Sequence, residues 1–139
     1  SWLQAGVKRL IVPVQVVRDM SALRELVQSH GAQLMPSFDE SVPIENVKEY
    51  EWADCIGILA VHPGKSGQIE DENSFERVKF LRDGIPGVKI EFDGGVDPDS
   101  GVRALNAGAD ILISGSYIFE SADPKESFSR LNNIKPHVS

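Results

Sequence analysis

Short runs of apolar residues alternate along this chain with segments in which apolar residues recur every three or four positions. The runs are rich in β-branched residues and predict buried strands, whereas the periodic segments predict amphipathic helices. The predicted strands are residues 10–17, 32–36, 55–61, 88–92 and 110–113. Strands that alternate with helices in this way predict an α/β fold with a parallel sheet.

Capping residues set the ends of the predicted helices. Asp97 and Asp123 each precede a proline, as an N-cap residue precedes a proline in the first helical turn. Gly31 and Gly108 predict C-terminal ends, because glycine readily adopts the left-handed conformation found there. The predicted helices are residues 22–29, 43–50 opened by Pro43, 73–82 opened by a capping box at Asn73, 98–106 and 124–132.

The length of 139 residues predicts a single domain, residues 1–139, because domains commonly have ~100–200 residues. Five βα units are too few for a closed eight-stranded barrel, which needs ~200–250 residues. The chain therefore forms either an open doubly wound sheet or part of a barrel.

Charge and composition exclude several classes of partner. The chain has 14 Lys and Arg against 21 Asp and Glu, a net charge of −7, with no basic cluster. We therefore expect neither nucleic acid nor a membrane surface as a partner. A small anion remains possible, because backbone N–H groups bind phosphate. The lone Cys55 is expected to be a buried thiol, and the absence of a leader pattern favours a cytoplasmic protein.

Glycine-rich loops follow the third, fourth and fifth predicted strands, where parallel α/β folds carry their functional sites. Glycine lets the backbone approach a ligand closely, so successive N–H groups can point at an anion. Each loop alone could be an ordinary turn, but three in succession favour a phosphate site, with a short helix at residues 117–119. The chain lacks a Walker A loop, since Leu59 occupies the position of its first glycine. The three loops are residues 62–68, 93–95 and 114–116.

Asp93 directly follows an apolar strand end. A carboxylate at the mouth of a barrel can have a raised pKa or hold a cation, and both suit proton transfer. The alternative is an ordinary turn aspartate before two glycines. His62 has no evident partner in the sequence, and a loop histidine is the simpler interpretation.

Three segments together resemble the ribulose-phosphate 3-epimerase family. They are residues 61–68 (VHPGKSGQ), residues 92–95 (FDGG) and the pair 107–110 (AGAD) and 115–116 (GS). The family pattern has Val-x-Pro-Gly-x-x-Gly-Gln, Val-Asp-Gly-Gly and Ala-Gly-Ala-Asp followed by Gly-Ser, in this order. The resemblance covers about residues 7–131.

The resemblance implies a (β/α)8 TIM barrel of the ribulose-phosphate-binding type, of which this chain supplies strands four to eight. It implies an isomerase of the pentose phosphate pathway that moves a proton at the third carbon of D-ribulose 5-phosphate to give D-xylulose 5-phosphate. Two aspartates act on opposite faces of an enediolate, and a divalent cation (Zn, Fe, Mn or Co) held by two His and both Asp stabilises its charge. Asp93 matches the second aspartate, both as catalytic residue and as metal ligand. The phosphate-binding positions map onto Gly64, Gly67, Gly94, Gly95, Gly115 and Ser116.

The other acid and both metal-binding histidines belong to strands that have no counterpart in this sequence. We therefore expect the chain alone to be inactive and to form a homo-oligomer through its open sheet edges. The alternatives are another phosphosugar barrel enzyme, such as a lyase or decarboxylase, and a non-catalytic phosphate-binding half-barrel. Four departures from the family pattern bear on the substrate: His62, Ser66, Phe92 and the segment 13–15 (PVQ) in place of His-x-Glu.

Overall fold

The fold is an alternation of five strands with helices in the computed structural model, which describes residues 2–60 and 72–136. The strands are β1 (Arg9–Pro13), β2 (Gln33–Phe38), β3 (Cys55–Leu59), β4 (Lys89–Asp93) and β5 (Ile111–Ile113). The α-helices are α1 (Met20–Ser29), α2 (Glu72–Gly84), α3 (Pro98–Ala107), α4 (Ser116–Phe119) and α5 (Pro124–Asn132). Two 3-10 helices, Val14–Val16 and Ile44–Tyr50, complete the described elements.

The sheet is parallel, and its strands lie in chain order from β1 to β5. A doubly wound sheet reverses its strand order at a switch point, because its helices cover both faces. Right-handed crossovers that always step to the next strand place every connecting helix on one face. The order therefore decides between the two predicted architectures, and the fold is a segment of a (β/α) barrel.

The two faces of the sheet differ in what covers them. Ile56, Ile90 and Phe92 point towards the helices and are fully buried in the core between sheet and helices. The opposite, concave face corresponds to the interior of a barrel. There Ile11 on β1 and Ile113 on β5 are 51% and 40% exposed, on the two edge strands of the described sheet. Within residues 2–60 and 72–136, no helix has the length and apolar character needed to span a bilayer.

The capping residues act as predicted. Asp97 accepts hydrogen bonds from the first turn of α3, and Ser100 completes a capping box with it. Asp123 accepts the N–H of Glu126 at 2.9 Å at the start of α5. Gly31 and Gly108 follow their helices with φ of +67° and +112°, the left-handed region that ends a helix.

Several predicted boundaries were wrong. β1 ends at Pro13 rather than at residue 17, because the chain turns there into a 3-10 helix that Val17 closes by donating to Val14 O. Residues 44–50 also form a 3-10 helix, and Pro43, with ψ of 125°, precedes it instead of opening it. β2 continues to Phe38, whose side chain is fully buried. Helix α2 already contains Glu72, so the predicted start at Asn73 lies inside it.

Candidate phosphate and proton-transfer site

Asp93 is the last residue of β4 and lies on the concave face. Its register partners on the neighbouring strands are Leu59 and Ile113, which place it in the row nearest the carboxyl ends of the strands. Burial raises the pKa of the Asp93 carboxyl. A carboxyl at this edge of the sheet, with a pKa above its ordinary value, has the placement and the electrostatics of a proton-transfer group.

Gly94 and Gly95 turn the chain directly after Asp93. Their φ values are +120° and +65°, a conformation that residues with a Cβ rarely adopt. Two hydroxyl groups then fix the loop: Ser100 Oγ donates to Gly95 O at 3.1 Å, and Ser114 Oγ donates to Val96 O at 2.7 Å. The consecutive glycines therefore have a conformational role at the site, beyond that of spacers in a turn.

Gly115 and Ser116 form the second glycine loop at the same edge. Gly115 is the N-cap of α4, and its carbonyl accepts from Ile118 N and Phe119 N. Ser116 and Tyr117 come before the first residues that donate within the helix. The N–H groups at such positions can bind a ligand or water. A Cβ at Gly115 would meet no heavy atom of residues 2–60 and 72–136 within 4 Å, so these residues leave space in front of the loop.

The structure thus joins two of the three predicted loops. The hydrogen bond from Ser114 to Val96 connects the loop after β4 to the loop after β5. Gly94, Gly95, Gly115 and Ser116 therefore lie together at the carboxyl ends of the strands. The third predicted loop, with Gly64, Gly67 and His62, lies outside the described residues. The one-turn helix predicted after Ser116 is present as α4.

A metal site is not complete in the described part of the chain. No three His, Cys, Asp or Glu side chains converge there as metal ligands. Asp93 has Glu91 near it on the same face of β4, but two carboxyl groups from one strand do not fill the coordination shell of a divalent cation. The described residues by themselves therefore do not fit a divalent cation.

Glu91 is a buried carboxyl that the sequence analysis did not single out. It is only 6% exposed and shares the concave face with Asp93, two residues away on β4. Burial raises its pKa, the Arg9 guanidinium partly opposes this, and Asp93 adds to it. The signal in the sequence was the alternation of polar and apolar residues over 89–93, which places three charged side chains on one face.

Two departures from the family pattern have a structural explanation. Phe92 points to the helices and stacks on Phe75 with ring centroids 5.2 Å apart, so it fills the core and not the site. Gln15, in the segment that replaces His-x-Glu, donates its side-chain amide to Asp39 after β2. Cys55 is buried and free, as predicted, and burial raises the pKa of its thiol.

Together these features define a segment of a (β/α) barrel with a carboxyl and glycine loops at the carboxyl ends of its strands. Residues 1–119 match the sequence model of the ribulose-phosphate 3 epimerase family. The chain belongs to this family.

Individual relatives agree with this assignment. Ribulose-phosphate 3-epimerase of Chlamydia pneumoniae is 33% identical over 128 residues, which are 87% of this chain and 56% of the relative. The cytoplasmic isoform of ribulose-phosphate 3-epimerase of Oryza sativa subsp. japonica is 33% identical over 135 residues, 92% of this chain and 58% of the relative. The chain therefore spans about half the length of these curated relatives.

Solved structures confirm the barrel fold. A crystal structure of 3-hexulose-6-phosphate synthase superimposes with a TM-score of 0.71 at 19% identity. The match covers 95% of this chain and 64% of the other. At this identity the likeness establishes the fold alone.

Replacing Asp93 by Asn should stabilise the fold at neutral pH, because burial disfavours the ionised carboxylate and the amide carries no charge. Burial raises the folded-state pKa above the unfolded value of ~3.9, so the native state loses stability as pH rises from ~4 through the folded-state pKa. The Asn variant lacks this loss. Urea unfolding of both proteins at neutral and acidic pH measures the difference, which should vanish below pH ~4. An Asn variant that is less stable at neutral pH would contradict the prediction.

Proposed function

We propose that this chain provides the phosphate-binding loops and one proton-transfer acid of a ribulose-phosphate 3-epimerase site. The observation that carries the proposal is the position of Asp93, which ends a strand immediately before two left-handed glycines. The loop that these glycines form is bonded to the loop of Gly115. Relatives named as epimerases favour this activity over that of a lyase or decarboxylase on a similar barrel.

In the proposed reaction, Asp93 holds or removes the proton at the third carbon of D-ribulose 5-phosphate. Its partial burial supports this role, because a carboxyl with a raised pKa is a better base and a usable acid near neutral pH. A proton returned to the opposite face of the enediolate gives D-xylulose 5-phosphate. We expect the acid for that face, and the ligands that would complete a divalent metal site, in the part of the relatives that has no counterpart in this chain.

The phosphate would bind the backbone N–H groups of the loops after β4 and β5. Gly94 and Gly95 allow the backbone to approach the anion, and the first N–H groups of α4 add donors beside Gly115. Gly64 and Gly67 would belong to the same site through the family pattern. The net charge of −7 opposes binding only weakly, because charges beyond ~8 Å are largely screened at physiological salt.

Gly115→Val tests the phosphate site directly. We expect phosphate or pentose phosphate binding to fall at least about tenfold, because the branched side chain occupies the space that the anion needs. The valine side chain would not clash with any of the residues that the structure describes, so the fold should persist. Amide chemical shifts during a titration with inorganic phosphate and D-ribulose 5-phosphate measure the affinity.

Gly87→Val is the matched control, because a Cβ at Gly87 also meets no heavy atom of the described residues within 4 Å. Gly87 precedes β4 and so lies at the amino ends of the strands, away from the candidate site. This variant should leave the titration unchanged. Shifts outside residues 94–96 and 115–117, and outside the loop 64–68, would show that the site assignment is wrong.

The open edges of the described sheet should make the chain self-associate. Ile113 is 40% exposed on the edge strand β5, and unpaired edge strands readily pair with other chains. Light scattering should report an oligomer, and Ile113→Lys should shift it towards the monomer. Phe80→Lys, a similar change at a 45% exposed residue on the outer helix α2, should not. A well-folded monomer over a wide range of concentration would overturn the prediction.

A further inference from the structure

A cavity of about 230 Å³ opens on the concave face beside Asp93. Its polar lining consists of Ser37, Glu91 and Asp93, and its walls are apolar residues of β1 and β3. A mostly apolar cavity with a few polar groups that converge is the usual form of a small-molecule site. Asp93 has a place in the proposed reaction, whereas Ser37 and Glu91 have none so far.

Ser37, Gly57 and Glu91 form one row across three neighbouring strands. Ser37 pairs in register with Gly57, and Gly57 pairs with Glu91. Side chains of a row point to the same face, so the hydroxyl and the carboxyl flank a position that has no side chain. A Cβ at Gly57 would lie 2.9 Å from Met35 Cε and 3.2 Å from Ser37 Cβ. The glycine therefore leaves room for the end of the Met35 side chain and for Ser37 to pack against β3, where a larger residue would clash.

Glu91 is a costly residue for the fold to keep at this place. A buried carboxyl loses its hydration, and an apolar residue of similar size is often as stable or more stable. The Arg9 guanidinium attracts the Glu91 carboxylate. However, this guanidinium donates its hydrogen bonds to Gln33 Oε1, at 3.2 and 3.0 Å, nearer the start of the strands. The cavity is thus the side from which a hydrogen-bonding partner can reach Glu91.

The spacing of the two carboxyl groups fits a short polyol chain. Residues 91 and 93 are two positions apart on β4, which corresponds to ~6.6 Å at ~3.3 Å per residue. From the third carbon of a ketopentose to the oxygen on its first carbon there are three bonds of roughly 1.5 Å, which advance about 4 Å along a zigzag. A hydrogen bond of ~2.7 Å from this oxygen to Glu91 makes up the remainder if the Asp93 carboxyl contacts the third carbon at right angles to the strand, so that this contact adds no distance along it.

We propose that Glu91 and Ser37 bind the hydroxyl group at the non-phosphorylated end of the substrate, while Asp93 faces its third carbon. The two residues then distinguish an open-chain sugar phosphate from a phosphate ion or a shorter phosphate ester. This specificity role rests on the proposed function, because the phosphate loops and Asp93 fix the other two points of the substrate.

The test compares two ligands on three proteins. Inorganic phosphate and D-ribulose 5-phosphate are titrated into the unsubstituted chain, Glu91→Met and Glu91→Gln, with amide shifts as the readout. The Met variant should lose about threefold to tenfold in affinity for the sugar phosphate, the effect of one net hydrogen bond, and keep its affinity for phosphate. The Gln variant keeps the shape and a hydrogen-bonding carbonyl, so it should retain most of the sugar phosphate affinity.

Ser37→Ala is a second variant that removes the other polar group with little change in volume. It should lower the affinity for the sugar phosphate by about twofold to fivefold and leave phosphate binding unchanged. An unchanged ratio of the two affinities in Glu91→Met or, should that variant not fold, in Ser37→Ala would overturn the proposal while leaving the phosphate site intact. If the unsubstituted chain binds neither inorganic phosphate nor D-ribulose 5-phosphate, the proposed function itself is contradicted, and this proposal with it.

Discussion

Supplied with a divalent cation and D-ribulose 5-phosphate, this chain alone should interconvert the pentose phosphates at least ~10²–10⁴-fold more slowly than a complete epimerase. The expected loss is that of one general acid, because the role proposed for Asp93 covers one face of the enediolate and no second acid is expected within this chain for the other face. A coupled assay that consumes D-xylulose 5-phosphate measures the rate. Turnover of ~1–10³ s⁻¹, the ordinary range of enzymes, would show that the chain is competent by itself.

The Asp93→Asn variant in the same assay distinguishes activity of this chain from activity of a contaminating enzyme. Any residual activity that arises at this site should fall further in the variant, whereas activity from a contaminating enzyme should not change. The Gly87→Val control should behave like the unsubstituted chain, because its position lies before β4.

Arg82→Met should lower the free energy of unfolding by about 3 kcal/mol, or roughly 150-fold in the folding equilibrium. The guanidinium donates to Gly108 O at 3.1 and 2.9 Å and to the carbonyls of Pro86 and Val88, both at 2.8 Å. It also pairs with Asp110, which accepts the N–H of Ile90 at 2.8 Å. The Arg82 side chain is 27% exposed, so water would replace part of this network in the variant. We therefore expect a smaller loss in the free energy of unfolding than breaking a fully buried ion pair would cause.

The Arg82 network lies at the amino ends of β4 and β5, away from the candidate site. Barrel residues at that end act on stability, so phosphate binding by the folded Arg82→Met variant should be unchanged. Arg130→Met is the control, since it breaks an ion pair with Glu126 that is exposed on α5. That variant should unfold at an unchanged urea concentration. Equal losses from the two substitutions would contradict the assignment of stability to the Arg82 network.

Local chemistry in the sequence predicted most of the fold. Asp97 and Asp123 before prolines indicated two helix starts, and short runs of apolar residues located all five strands. The ends of elements were less accurate where tertiary packing decides. Phe38 extends β2 because it packs in the core against Tyr50, with centroids 5.1 Å apart, and no local pattern around residue 38 indicates this.

The candidate site was predictable at positions where the residue type itself determines the backbone conformation, as glycine does. Gly94 and Gly95 could be assigned to a tight loop, and the structure gives both a positive φ. The contact between loops was not predictable, because it depends on the Ser114 hydroxyl reaching Val96 O, which lies 18 residues away in the chain. The row of Ser37, Gly57 and Glu91 was hidden for the same reason, since it needs the register of three strands.

The hydrogen bond from Ser114 to Val96 has a consequence for how the site meets a ligand. It couples the two loops without any help from the anion, as does the bond from Ser100 to Gly95. The entropy lost in ordering these loops is therefore lost when the chain folds and not when the ligand arrives. A preorganised receptor of this kind binds its ligand with little rearrangement, so the association of even a small, weakly held anion is opposed mainly by its own loss of freedom.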